Sequence, residues 1–134
     1  MAKPVVFITG GGRRIGAAIS SLLMDSGYFV LIHVRNSIDE AKAIISAYSE
    51  ANNGEISGDI IRADLVNDDI SELVATVKNH PKVIEYGGLF GLINNASVYQ
   101  PISFEELTFE EFKKNFTIHA VSYTHLTLPT ILLV

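Results

Sequence analysis

Two groups of residues could hold an anionic ligand. The first is Thr9-Gly10-Gly11-Gly12-Arg13-Arg14-Ile15-Gly16, directly after the apolar run Val5-Val6-Phe7-Ile8. Between a strand and a helix, glycines permit a tight turn and let a pyrophosphate approach the backbone. The free amides and positive dipole end of the helix then face the anion. Gly10, Gly12, Arg13, Arg14, Ile15 and Gly16 are therefore candidate dinucleotide-binding residues, the alternative being a glycine-rich turn with no ligand. The second group, His33-Val34-Arg35-Asn36-Ser37, ends the next apolar run. A site for a free ribose 2′-hydroxyl wants an acid there, ~20 residues past the glycines. None is present. Arg14 and Arg35 can instead pair with a 2′-phosphate, and Ser37 can hydrogen-bond it beside Asn36, so NADP(H) is the expected cofactor. The alternative leaves both arginines on a solvated rim. His33 reads equally as a cofactor-side residue or as a satisfied strand-end histidine.

Two later strings, Arg62-Ala63-Asp64-Leu65 and Asn94-Asn95-Ala96-Ser97, also follow apolar runs. Taken alone, they are an ordinary loop aspartate and a turn or cap. Together with the glycine turn they resemble a known family. Thr9-Gly10-x-x-x-Arg14-Ile15-Gly16 is similar to the short-chain dehydrogenase/reductase fingerprint T-G-x-x-x-[AG]-x-G, departing at Arg14. The basic residue there, and Ser97 where the N-N-A-G motif has glycine, resemble the pteridine reductase branch, including the dihydromonapterin reductases. The resemblance covers Val5 to about Ala120. It implies that Asp64 and Leu65 border the adenine and that Asn94, Ala96 and Ser97 line the ribose and nicotinamide. It places Tyr99 as an aromatic stacking on a pterin, the alternative being a loop aromatic capping the core. His119, 25 positions after Asn94, takes the slot of the family's catalytic Asn and could hold a relay water. A core-edge histidine is the other reading, and Asn115 is a rival for the slot.

The resemblance implies hydride transfer between nicotinamide and substrate, with a Tyr whose pKa is lowered by a Lys in Tyr-x-x-x-Lys. Such tuning is needed because a free Tyr, with pKa ≈ 10, is a poor proton donor or acceptor near neutrality. Tyr28, Tyr48, Tyr86, Tyr99 and Tyr123 are followed four residues on by Ile32, Asn52, Phe90, Ser103 and Thr127, so none fits. The expectation is a fragment, itself inactive, of an NADP(H)-dependent reductase acting on a pterin-like or other small carbonyl or imine substrate. The family implies a homo-tetramer or homo-dimer for the intact protein. Two alternatives stand: a reductase of another substrate such as a 3-oxoacyl thioester, and a non-catalytic dinucleotide-binding module.

Positioning these residues requires a particular order of elements. Val5–Ile8 and 28–34 read as strands buried on both faces. Ile15, Ala18, Ile19, Leu22 and Leu23 have helical spacing, and Gly27 ends that helix. Ser37-Ile38-Asp39-Glu40 and Thr108-Phe109-Glu110-Glu111 read as capping boxes. The first opens a helix with Ala41, Ile44, Ile45 and Tyr48 inward; the second opens one carrying Phe112, Phe116 and His119 on a face. A weaker strand spans 56–63, a helix spans 69–79 with Pro81 beyond its end, a fourth strand spans 89–93, and 94–107 is a loop. The order β-α-β-α-β-α-β-α implies parallel strands and right-handed crossovers. The fold class expected is α/β, the N-terminal half of a Rossmann-type doubly wound parallel sheet.

With 134 residues the chain is one domain at most. Fifteen acidic against ten basic residues, net charge -5, argue against a nucleic-acid partner. The absence of cysteine excludes a disulfide scaffold and points to a reducing, cytoplasmic setting. No apolar run is long enough to span a membrane, and no secretion signal is read. Residues 121–134 contain no Asp, Glu, Lys or Arg, and Pro129 would break the helix expected there. Residues 121–130 resemble the translated end of a transposase adapter used in sequencing libraries. The expected organisation is a truncated dinucleotide-binding portion, 1–120, and a non-native read-through tail, 121–134. A genuine divergent C-terminus is the alternative.

Overall fold

The computed structural model describes residues 2–97, 103–122, 124 and 126. Four parallel strands form one sheet in the order β3-β2-β1-β4, with β1 Val5–Ile8, β2 Phe29–Val34, β3 Gly58–Arg62 and β4 Gly91–Ile93. The register sets Val5 opposite Phe29, Val30 opposite Gly58 and Val6 opposite Gly91. Every residue of β1 and β2 is buried, as expected of central strands covered on both faces.

Side-chain alternation divides the core into two layers. Ile8, Val30, Ile32 and Val34 pack on one face with Met24 of α1 (Arg14–Asp25) and Ala41 of α2 (Ile38–Ala51). Val5, Phe7, Phe29, Leu31 and Ile61 pack on the other. They meet Leu73 and Val77 of α3 (Ile70–Lys78) and Val83 of α4 (Pro81–Tyr86). Beyond β4 come a 3₁₀ turn Phe104–Glu106, helix α5 Phe109–Phe116 and a π-helical turn Thr117–Ser122, whose Ile118 joins this second layer.

The architecture agrees with the α/β expectation, with local corrections. Pro81 does not merely follow a helix. It sits at the first position of α4, where a missing N–H is tolerated, and His80 caps that helix through Nδ1. The fully buried stripe of α1 is Gly16, Ser20 and Met24; Ile19 and Leu23 pack beside it as their spacing predicts, while Ile15 (71% exposed) and Leu22 (65%) face outward. Small residues let α1 approach the turn closely enough for Ser20 Oγ to donate to the Gly11 carbonyl at 2.9 Å. The Ser37 box does not form, because the Ser37 side chain makes no cap bond. Thr108 does cap α5, accepting from the Glu111 amide at 3.2 Å, and Asp69 caps α3, accepting from the Ser71 amide at 2.9 Å. Phe112 and Phe116 stack on one another yet remain more than half exposed.

Candidate functional site

The C-terminal ends of β1, β2 and β3 open into a cleft of about 540 Å³. Ligands of open α/β sheets bind at this edge. The glycine turn closes one side. Gly10, at φ +63°, lies so close to the segment after β4 that a Cβ would stand 2.9 Å from the Ala96 Cα. A Cβ on Gly16 would run into the Gly10 carbonyl oxygen and the Asn95 side-chain amide. These two positions therefore require glycine. Thr9 Oγ1 accepts from the amides of Asn95 and Ala96, both at 3.0 Å, and Asn95 Nδ2 donates to the Gly10 carbonyl at 3.0 Å. The turn and the end of β4 are thus one hydrogen-bonded unit.

The other wall carries charge. Arg13, Arg14 and Arg35 are exposed and line the cleft, and Asp64 is the one acid among its described lining residues. α1 has no acidic residue in its first turn and no side-chain cap, whereas α2, α3 and α5 each have both or one of these features. Its N-terminal amides and dipole therefore remain available to an anion. Arg14 opens α1 at φ +51°, a left-handed conformation that disfavours a side chain. Arg35 Nε lies 3.6 Å from Asp64 Oδ2, and Arg62 Nε donates to the Arg35 carbonyl at 3.2 Å.

Asp64 is itself held by a turn. Its carboxylate accepts from the amides of Val66 and Asn67 and from Asn67 Nδ2. Partial burial pushes its pKa up, but the Asn67 and Val66 hydrogen bonds and the Arg35 charge together hold it below the ordinary 3.8.

The cleft brings together Gly10, Gly12, Arg13, Arg14, Ile15, Gly16, His33, Arg35, Asn36, Ser37, Asp64, Leu65, Ala96 and Ser97 from the sequence-derived set. Asn94 is not among the lining residues; its neighbour Asn95 is. His119 is exposed and stands outside the lining, while Ile118, 6% exposed, reaches it. The π turn adds an extra residue per turn and so rotates the face that α-helical spacing assigns to His119. Asn115, the rival, donates back to the Glu111 carbonyl of its own helix. Tyr99 lies outside the described residues. Sequence reasoning missed Thr9 and Asn95; the signal was present in the strings Thr9-Gly10 and Asn94-Asn95, but spacing alone does not tell which side chain latches.

A sequence profile described as short chain dehydrogenase matches residues 4–131. The chain is 33% identical over 116 residues to elsinochrome reductase 1 of Elsinoe fawcettii, covering 86% of this chain and 40% of that protein. It is 28% identical over 111 residues to the 3-oxoacyl-[acyl-carrier-protein] reductase FabG of Aggregatibacter actinomycetemcomitans, covering 81% and 42%. Among solved structures, FolM alternative dihydrofolate reductase 1 from Brucella suis in complex with NADP is similar, with a TM-score of 0.77. The two are 30% identical, and the match covers 94% of this chain and 49% of that one. The chain spans less than half the length of these relatives. It belongs to the short chain dehydrogenase family.

Proposed function

We propose that this chain is the cofactor-binding part of an NADP(H)-dependent reductase whose substrate is a pterin-like small molecule. The observation that carries the cofactor reading is charge placement: an α1 N-terminus without acids and three arginines share one cleft. In this reading the glycine turn and the α1 amides hold the pyrophosphate, and Arg14, Arg35 and Ser37 clamp the 2′-phosphate. Asp64 with Leu65 borders the adenine, and Asn95, Ala96 and Ser97 border the ribose and nicotinamide. The bound nicotinamide supplies a hydride. The chain's own residues bind and orient it, and Ile118 closes the cleft with apolar surface. The proton-transferring Tyr-x-x-x-Lys pair has no match in the 134 residues, so the reaction belongs to a longer protein, residues 1–120 are its cofactor portion, and 121–134 are a read-through tail.

The pterin reading is supported by Arg14 and Ser97 in their motifs and by the likeness to FolM. The match to FabG favours a second reading, a 3-oxoacyl thioester reductase. The test is to resequence the gene beyond codon 120 without that adapter, express the whole frame, and follow NADPH oxidation with a quinonoid or dihydropterin and with a 3-oxoacyl thioester. The proposal expects a Tyr-x-x-x-Lys in the frame and turnover of the pterin. Turnover of the thioester alone replaces the substrate assignment. Confirmation of residues 121–134 as genomic, followed by a stop, overturns the catalytic reading.

A further inference from the structure

β2 lies between β1 and β3, and its His33 is only 3% exposed. The Gly10 amide donates to His33 Nδ1 at 3.0 Å, and Nε2 donates to the Ala63 carbonyl at 2.9 Å. This pairing assigns the neutral ring with its proton on Nε2. One side chain thereby joins the start of the glycine turn to the residue that follows β3. The backbone reinforces the link, since the Gly11 amide donates to the His33 carbonyl at 3.0 Å. Phe7 meets the imidazole edge-on, with ring centres 6.5 Å apart. With both nitrogens committed to backbone groups, the ring has none left for a cofactor phosphate.

Adding a proton changes the chemistry of the Gly10 contact. Nδ1 would then carry hydrogen, and two donors would face each other. The acid facing the ring is Asp64, whose charge favours protonation; Arg35 is paired with that acid, and Arg13 and Arg14 line the same cleft. Burial outweighs the Ala63 hydrogen bond and the Asp64 charge, and holds the imidazole below its ordinary 6.5.

We propose that His33 is the positioning residue of the glycine turn: its neutral ring clamps Gly10 to Ala63, and protonation opens that clamp and the mouth of the cleft. The consequence for a dinucleotide rests on the cofactor reading above; the clamp itself does not.

The test uses the full chain, with His33→Asn and His33→Gln. Ring-nitrogen NMR of the free protein is expected to show a bare Nδ1 at neutral pH. Exchange of the Gly10 amide is expected to accelerate as His33 titrates. In His33→Asn the side-chain carbonyl retains an acceptor near Gly10 without titrating. From about pH 7.5 to about pH 5, NADPH binding to the natural chain is then expected to weaken at least about threefold more than binding to His33→Asn. Taking the two proteins together cancels titration of the cofactor's own phosphate. His33→Gln, which misplaces that acceptor, is expected to bind about tenfold more weakly at every pH. A protonated Nδ1 at neutral pH, a Gly10 amide indifferent to His33, or parallel pH profiles would overturn the clamp. If neither variant folds, the NMR and exchange data on the natural chain decide the matter. If NADPH binds at no pH, the cofactor reading fails, and the same two measurements still judge the clamp.

Discussion

The cleft depends on residues whose backbone requirements and chemistry pull in different directions. At Gly16 the constraint is steric: a methyl group would strike the Gly10 carbonyl and the Asn95 amide. Gly16→Ala is expected to lower stability by about 1–3 kcal/mol, the usual range for overpacking, with a matching drop in the urea midpoint. Arg14 shows the opposite balance. Its φ of +51° places a long side chain in a region suited to glycine. Arg14→Gly is expected to stabilise the chain by up to about 1 kcal/mol in chemical denaturation while weakening NADPH binding about tenfold or more. A variant that loses stability and keeps its affinity would show that the strained arginine serves packing rather than phosphate. The residue types at the cleft were legible because glycine, arginine and the Asn-Asn string are constrained by what they touch. His33 was ambiguous from sequence. Its tie to Gly10 and Ala63 joins residues 23 and 30 positions away, which no local pattern reveals.

Element boundaries were less legible, and the reason differs from case to case. In α1 the apolar spacing located only part of the buried face: Ile19 and Leu23 do pack against the core, but Ile15 and Leu22 face outward, because close approach to the turn selects the small side chains of Gly16 and Ser20. Pro81 lies beyond the end of α3 as expected, but the sequence pattern does not reveal α4, which Pro81 opens with His80 as its cap. Capping boxes illustrate the limit of local spacing. Ser37 and Thr108 share the motif, yet only Thr108 forms the side-chain bond. The Ser37 backbone is at ψ 45°, away from the extended geometry of the other caps, so its hydroxyl is not aimed at the first-turn amides. Thr108→Ala and Asp69→Ala are each expected to lose about 1 kcal/mol. Ser37→Ala is expected to leave stability nearly unchanged while touching the cofactor cleft that Ser37 lines. Equal losses in all three, by urea titration, would contradict the assigned caps.

Across the whole molecule, two buried layers on one parallel sheet fix where the strand ends meet, and the cleft follows from that order. Among the described residues no helix is long and apolar enough to cross a membrane. Acid should weaken the fold in two windows. His33 is held below 6.5, so its contribution is present above that value and declines as pH falls through the lower folded-state pKa. Asp64 is held below 3.8, so its contribution is present above 3.8 and declines as pH falls through its own lowered pKa. Urea midpoints against pH are expected to show the first decline vanish in His33→Asn and the second in Asp64→Asn.

The central claim is that this cleft holds a 2′-phosphorylated dinucleotide. Its most direct test is the ratio of NADH to NADPH dissociation constants, measured by nucleotide fluorescence on the chain and on an Arg14→Ala, Arg35→Ala variant. Charge-assisted bonds to phosphate contribute about 1.5–3 kcal/mol, so the chain should favour NADPH by about tenfold or more. The variant should bring the ratio near unity with NADH binding little changed. Equal affinities in the natural chain, or an NADPH preference that survives loss of both arginines, would contradict the account.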